Sequence, residues 1–162
     1  MKELPNWAIL IAKYPNKKAE TVFTEIGGKV QLNYDIGVFS NACATRISKA
    51  LNDSGANHHI PYIKDVGPTG KMESQVSSGE NKRWYIFRVK ILAKYLIKTY
   101  GSPLEYQSHE YKSKLAGKKG IIMFEVTGWD DATGHADLWD GAKAVWQDYG
   151  GQANKILFWE AK

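Results

Sequence analysis

The sequence predicts an α+β fold, helices first and antiparallel strands last. Three observations carry that expectation: apolar residues at helical spacing in the first hundred positions, a change to strand-like runs from Gly120, and an Asp140-Gly141 turn signal between two of those runs. At 162 residues the chain has the length of one ordinary domain, so a single domain over residues 1–162 is expected.

Trp7 to Tyr14 has apolar residues at helical spacing and stops at Pro15, which predicts one or two turns of helix. A polar loop to about Gly37 is expected next, with a short alternating stretch at Val30–Tyr34 that suits a strand or irregular chain. Ser40 and Asn41 are both good N-caps for a helix of about three turns from Ala42 to Leu51, closed by Asn52-Asp53-Ser54-Gly55. Cys43, Ile47, Ala50 and Leu51 share one face of it, so the cysteine sits in its first turn and faces inward. The turn-rich text from His58 to Asn81 predicts a long surface loop, and Trp84 to Tyr100 the longest helix, with Lys90, Lys94 and Lys98 on its solvated side. Beyond Gly120 the runs Gly120–Val126, Gly134–Trp139, Ala144–Tyr149 and Ile156–Trp159 read as strands, the second and third forming a hairpin about Asp140-Gly141.

The net charge of +5 is spread along the chain. It admits an anionic partner: nucleic acid, a membrane surface or the bacterial wall. With no basic cluster and no nucleic-acid motif, a basic nucleic-acid-binding module is the lesser reading and no nucleic acid partner is expected. The apolar run Trp7–Ala12 is too short to cross a bilayer, and only Lys2 against Glu3 precedes it, so neither membrane insertion nor a secretory signal is expected. One cysteine cannot form an internal disulfide, which fits synthesis in a reducing cytoplasm. His58, His59 and His109 show no metal-ligand spacing, so neither a metal nor a cofactor is expected.

A thiol becomes a good nucleophile when it loses its proton, and the amides and dipole of a helix N-terminus favour the anion. Cys43 is placed there. It needs a base, and the base needs a third group to fix its tautomer. Of the four histidines only His135 falls on an expected strand. A hairpin centred on Gly141-Ala142 sets Asp148 opposite His135, where it accepts the Nδ1 proton and leaves Nε2 for the thiol. Asp137, two residues along the same strand face, and Asp140, in the turn, are the alternatives. Trp129 and Trp139 are the candidate substrate-binding aromatics; with Trp84 and Trp146 they suit a substrate groove, although aromatic residues in this number more often build core.

Asn41-Ala42-Cys43-Ala44-Thr45-Arg46-Ile47-Ser48-Lys49-Ala50-Leu51-Asn52, with Gly120-Ile121-Ile122-Met123-Phe124 and Gly134-His135-Ala136-Asp137-Leu138-Trp139-Asp140-Gly141, resembles the fourth family of type VI secretion amidase effectors, from about Pro5 to Tyr149. The resemblance implies a papain-like, NlpC-type fold, with Cys43 and His135 as catalytic pair and Asp148 as third residue. It implies a toxin exported by type VI secretion that acts in the periplasm of target Gram-negative cells. The bond cut would join γ-D-glutamate to meso-diaminopimelate in peptidoglycan stem peptides, and a cognate immunity protein would block the cleft. An amidase or acyltransferase of the same fold with another substrate is the nearest alternative.

Overall fold

A computed structural model describes residues 1–126 and 134–162. Its first third is more helical than the sequence pattern suggests. Helix α1 (Trp7–Lys13) is capped by Asn6, whose Oδ1 accepts from the Ile9 amide at 3.0 Å. The stretch expected as loop or strand instead forms α2 (Ala19–Ile26) and α3 (Gly28–Asp35). Gly27 and Gly28, at φ +67° and +58°, make the break between them, and a Cβ on Gly28 would meet the Gly79 carbonyl carbon at 2.6 Å. Val22, Phe23 and Ile26 give α2 its buried face and pack with Val30, Phe39, Ala42 and Tyr85.

Helix α4 (Cys43–Asp53) is the hub of the molecule, and Cys43 is its first residue. It is buried almost all round, so even Thr45, Arg46, Ser48 and Asn52 lie inside. Buried polar groups require partners, and these find them. Ser48 Oγ accepts from the Ile86 amide at 3.0 Å, and Asn52 Nδ2 donates to the Trp84 carbonyl at 2.8 Å while its Oδ1 accepts from the Ile60 amide at 2.9 Å. Lys49 reaches Asp53 along the same helix.

Two stretches after α4 depart from expectation. The 58–81 segment carries short hairpin strands, β1 (Lys64–Val66) with β2 (Met72–Ser74), and β3 (Val76–Ser78), which pairs with β4 (Trp84–Ile86). The helix expected from Trp84 starts only at Val89, as α5 (Val89–Tyr100). Trp84-Tyr85-Ile86 is aromatic and β-branched, and α4 holds its backbone extended, so Tyr85 and Ile86 enter separate core clusters.

The C-terminal sheet runs β5 (Leu104–Tyr106), β8 (Lys155–Glu160), β6 (Gly120–Glu125), β7 (Gly134–Trp139), all antiparallel, with α6 (Tyr111–Lys114) between β5 and β6 in sequence. One face, with Ile121, Met123, Ala136, Leu138 and Leu157, packs with α4 and α5; the other holds Ile122, Phe124, Trp139 and Phe158 with Tyr111 and Leu115. The fold is thus α+β, helices against an antiparallel sheet. Ala144–Tyr149 does not return as a strand. It makes one bridge, Trp139 to Ala144, and one further bond, from the Val145 amide to the Leu138 carbonyl, before turning away. The next two amides, of Trp146 and Gln147, point into a carboxylate instead.

Candidate active site

That carboxylate belongs to Asp137. Asp137 is wholly buried and accepts from five donors: the Tyr14 hydroxyl at 3.1 Å, the amides of Leu138, Trp146 and Gln147 at 2.8, 3.1 and 2.8 Å, and His135 Nε2 at 3.0 Å. Burial, then the charge of Asp137, pushes the Tyr14 phenol well up, so it stays a donor. The hairpin register that would have faced Asp148 to His135 ends one rung past the turn because these amides serve Asp137.

His135, 5% exposed on β7, lies between Asp137 and Cys43, with its ring stacked on Phe124 and edge-on to Tyr149. Burial, the largest influence, disfavours its imidazolium. Hydrogen bonds to Asp137 and to the Cys43 side chain, with their charges, outweigh it and push His135 up to about 9. With Nε2 on Asp137, Nδ1 is left for the thiol, the reverse of the assignment expected from a facing strand. Cys43 itself is 2% exposed, and its amide donates to Asn41 Oδ1 at 2.9 Å.

The other expected carboxylates go elsewhere. Asp148 accepts from the Tyr111 hydroxyl at 2.8 and 2.9 Å and from the Gly150 amide at 2.7 Å. Asp140 closes its turn, accepting from the amides of Ala142 and Lys143. Trp139 is fully buried, its Nε1 donating to the Leu115 carbonyl at 3.0 Å, so it builds core and does not reach the groove; Trp129 lies outside the described residues.

A groove of about 440 Å³ opens at His135. Ser40, Asn41 and Ala42 form one side, Lys18 and Ala19 another, with Arg46, Trp146 and Tyr149 completing it. Arg46 donates through Nε and Nη2 to the Lys17 carbonyl and lies 4.0 Å over the Trp146 ring. Burial pulls its guanidinium below the ordinary arginine value, and the charges of Tyr14, Cys43 and Asp137 oppose that. Sequence reasoning passed over Tyr14 and Arg46. Arg46 had a legible signal, three residues past Cys43 on one helix face, whereas nothing in the text around Tyr14 points toward Asp137.

A cysteine at the head of a central helix, with a histidine and a carboxylate from the neighbouring antiparallel sheet, is the arrangement of a papain-like cysteine amidase. The chain matches the family model for type VI secretion system amidase effector protein 4, Tae4, over residues 39–159, and belongs to that family. It is 31% identical to Tae4 from Enterobacter cloacae in a type VI effector–immunity complex with Tai4, covering both chains completely at a TM-score of 0.82. Against Tae4 from Salmonella typhimurium, in complex with the immunity protein Tai4 from Enterobacter cloacae, identity is 30% over 98% of this chain and 99% of that one, at a TM-score of 0.81. Among curated protein sequences none matches. The protein is therefore an amidase effector of the type VI secretion system.

Proposed function

We propose that this effector hydrolyses the amide between γ-D-glutamate and meso-diaminopimelate in peptidoglycan stem peptides, in the periplasm of a recipient cell, with Cys43 as nucleophile, His135 as acid and base, and Asp137 as the residue that holds His135. The observation that supports it is the position of His135, shared between a thiol and a fully buried carboxylate. Family membership supports the amide chemistry, and the Tae4–Tai4 complexes support a cognate immunity protein as partner.

Cys43 sulfur attacks the γ-carbonyl, and the proton on His135 Nδ1 passes to the departing diaminopimelate nitrogen as the carbon–nitrogen bond breaks. A glutamyl thioester on Cys43 remains. Neutral His135 then takes a proton from water, the hydroxide displaces sulfur, and the free acid leaves. Asp137 stabilises the imidazolium each time it forms and keeps the ring oriented. Asn41 Oδ1 occupies the Cys43 amide in the free protein. The carbonyl oxygen of the substrate takes its place, so that the amide stabilises the developing oxyanion.

Mass spectrometry of muropeptides from diaminopimelate-type sacculi tests this reading. The wild-type protein should split stem peptides after D-glutamate, and Cys43→Ala and His135→Ala should each lose at least about 1,000-fold in rate while remaining folded. Unchanged muropeptides with folded wild-type protein refute the assignment.

A further inference from the structure

Arg46 follows Cys43 by three positions on α4, so the two side chains leave one helix face with Cβ atoms about 5–6 Å apart. Only 4% of Arg46 is exposed, and it borders the same groove as His135. A buried cation is costly unless it meets an anion. Here Nε and Nη2 share one neutral acceptor, the Lys17 carbonyl, at 3.3 and 3.0 Å. Arg46 forms none of the ion pairs among the described residues, and the charges of Tyr14, Cys43 and Asp137 act on it without a direct contact. The Trp146 ring lies 4.0 Å from the guanidinium carbon, a cation–π contact. Lys18, exposed on the same rim, adds a second positive charge. The groove therefore contains a held, planar cation one helical turn from the nucleophile, with further N–H groups of its fork available to a ligand.

We propose that Arg46 is the recognition point for a free carboxylate on the acyl side of the scissile amide, the α-carboxylate of the D-glutamyl residue whose γ-carbonyl meets Cys43. This rests on the amidase reading above. Four carbon–carbon bonds separate that carboxylate from the γ-carbonyl carbon, about 5 Å when extended. That span is comparable with the spacing of the Cys43 and Arg46 Cβ atoms on one face of α4. An acyl residue whose α-carboxyl is amidated presents no charge and sets its own N–H groups against those of the arginine. Arg46 thereby selects stem peptides that carry D-glutamate over those that carry D-isoglutamine.

Two synthetic peptides decide it, identical γ-D-glutamyl-diaminopimelate substrates with the α-carboxyl free in one and amidated in the other. The wild-type enzyme should favour the free carboxylate by about 10- to 100-fold in kcat/KM, the range of one charged hydrogen-bonded contact. Arg46→Gln should lose that factor, chiefly in KM, and so bring the two peptides to nearly equal kcat/KM; Arg46→Lys should retain part of the preference. Equal cleavage of both peptides by wild type overturns the proposal, and needs no variant to fold. So does an Arg46→Gln protein, shown by its melting curve to be folded, that slows equally on both, because that marks a purely structural residue. Wild type that cleaves neither peptide removes the amidase reading itself, and the Arg46 assignment with it.

Discussion

Two aspartates of this chain are each bound by a tyrosine hydroxyl, and only one of them touches the histidine. Asp137 accepts from Tyr14 and Asp148 from Tyr111, and both also accept from backbone amides. Asp137, however, sits on β7 with its side chain completely enclosed, two residues from His135, where a rigid strand fixes the imidazole. Asp148 sits outside any strand with 32% of its side chain exposed and Lys112 at 4.0 Å, and it ties α6 to the chain leading into β8. A carboxylate orients a catalytic base through immobility beside the ring, which strand position and donor count supply, and a sequence pattern shows only the first.

The widest separation between the two sites should appear in Asp137→Asn against Asp148→Asn. Asp137→Asn should cut kcat by about 10²- to 10⁴-fold, the range seen when a triad carboxylate loses its charge. It should also lower stability, because an amide nitrogen in place of either oxygen would face two backbone N–H groups. Asp148→Asn should keep activity within about threefold and cost about 1 kcal/mol, one lost hydrogen bond at a half-open site. Steady-state kinetics with denaturant melts on both variants provide the check, and a reversed order would return the third role to Asp148.

Acidity sharpens the same comparison. His135 is pushed up from an ordinary histidine value near 6.5 to about 9, so its protonated form stabilises the fold. That contribution is complete below about pH 6.5 and is lost as pH rises through about 9. Removing Asp137 leaves burial, the largest opposing influence, with less against it, so His135 in Asp137→Asn should titrate below its wild-type value. NMR titration of the His135 ring should show that downward shift and no comparable one in Asp148→Asn. The stability gap between wild type and Asp137→Asn should narrow between pH 6.5 and 9, and kcat should fall above about pH 9, where the leaving amine finds no proton.

How far the sequence disclosed this site follows from which forces are local. The inward face of α4, and the apolar runs of β6, β7 and β8, are written in neighbouring residues, and the structure forms each of them near its expected place, whereas Ala42, and neither Ser40 nor Asn41, is the N-cap of α4. The helical state of residues 19–35 was hidden by the Gly27-Gly28 pair, which reads as loop and serves as a joint between helices. Trp84–Ile86 looked helical because its continuation is helical, while α4, some forty residues earlier, holds it extended through Ser48 and Asn52. The third residue depended on how far a hairpin extends. Its first rung, Trp139 to Ala144, lies in the expected register. Two amides then chose a buried carboxylate over the next strand residues, and a pairing rule has no means to weigh that competition.

Tyr14 is the smallest lever and the most discriminating one, because it reaches Asp137 from the end of α1 through a single hydrogen bond. Its hydroxyl is the only side-chain donor to Asp137 besides the imidazole among the described residues, the remaining three being backbone amides. Tyr14→Phe keeps the ring in the core and deletes that one bond. Loss of a hydrogen bond to a charged group costs about 1.5–3 kcal/mol of stability. If Asp137 acts by immobility, four surviving donors should hold it and kcat should fall by less than about tenfold. If Asp137 instead depends on fine tuning of its charge by Tyr14, the loss in kcat should approach that of Asp137→Asn and the His135 titration should move with it. Measuring kcat and the His135 titration on Tyr14→Phe therefore separates a held carboxylate from a tuned one.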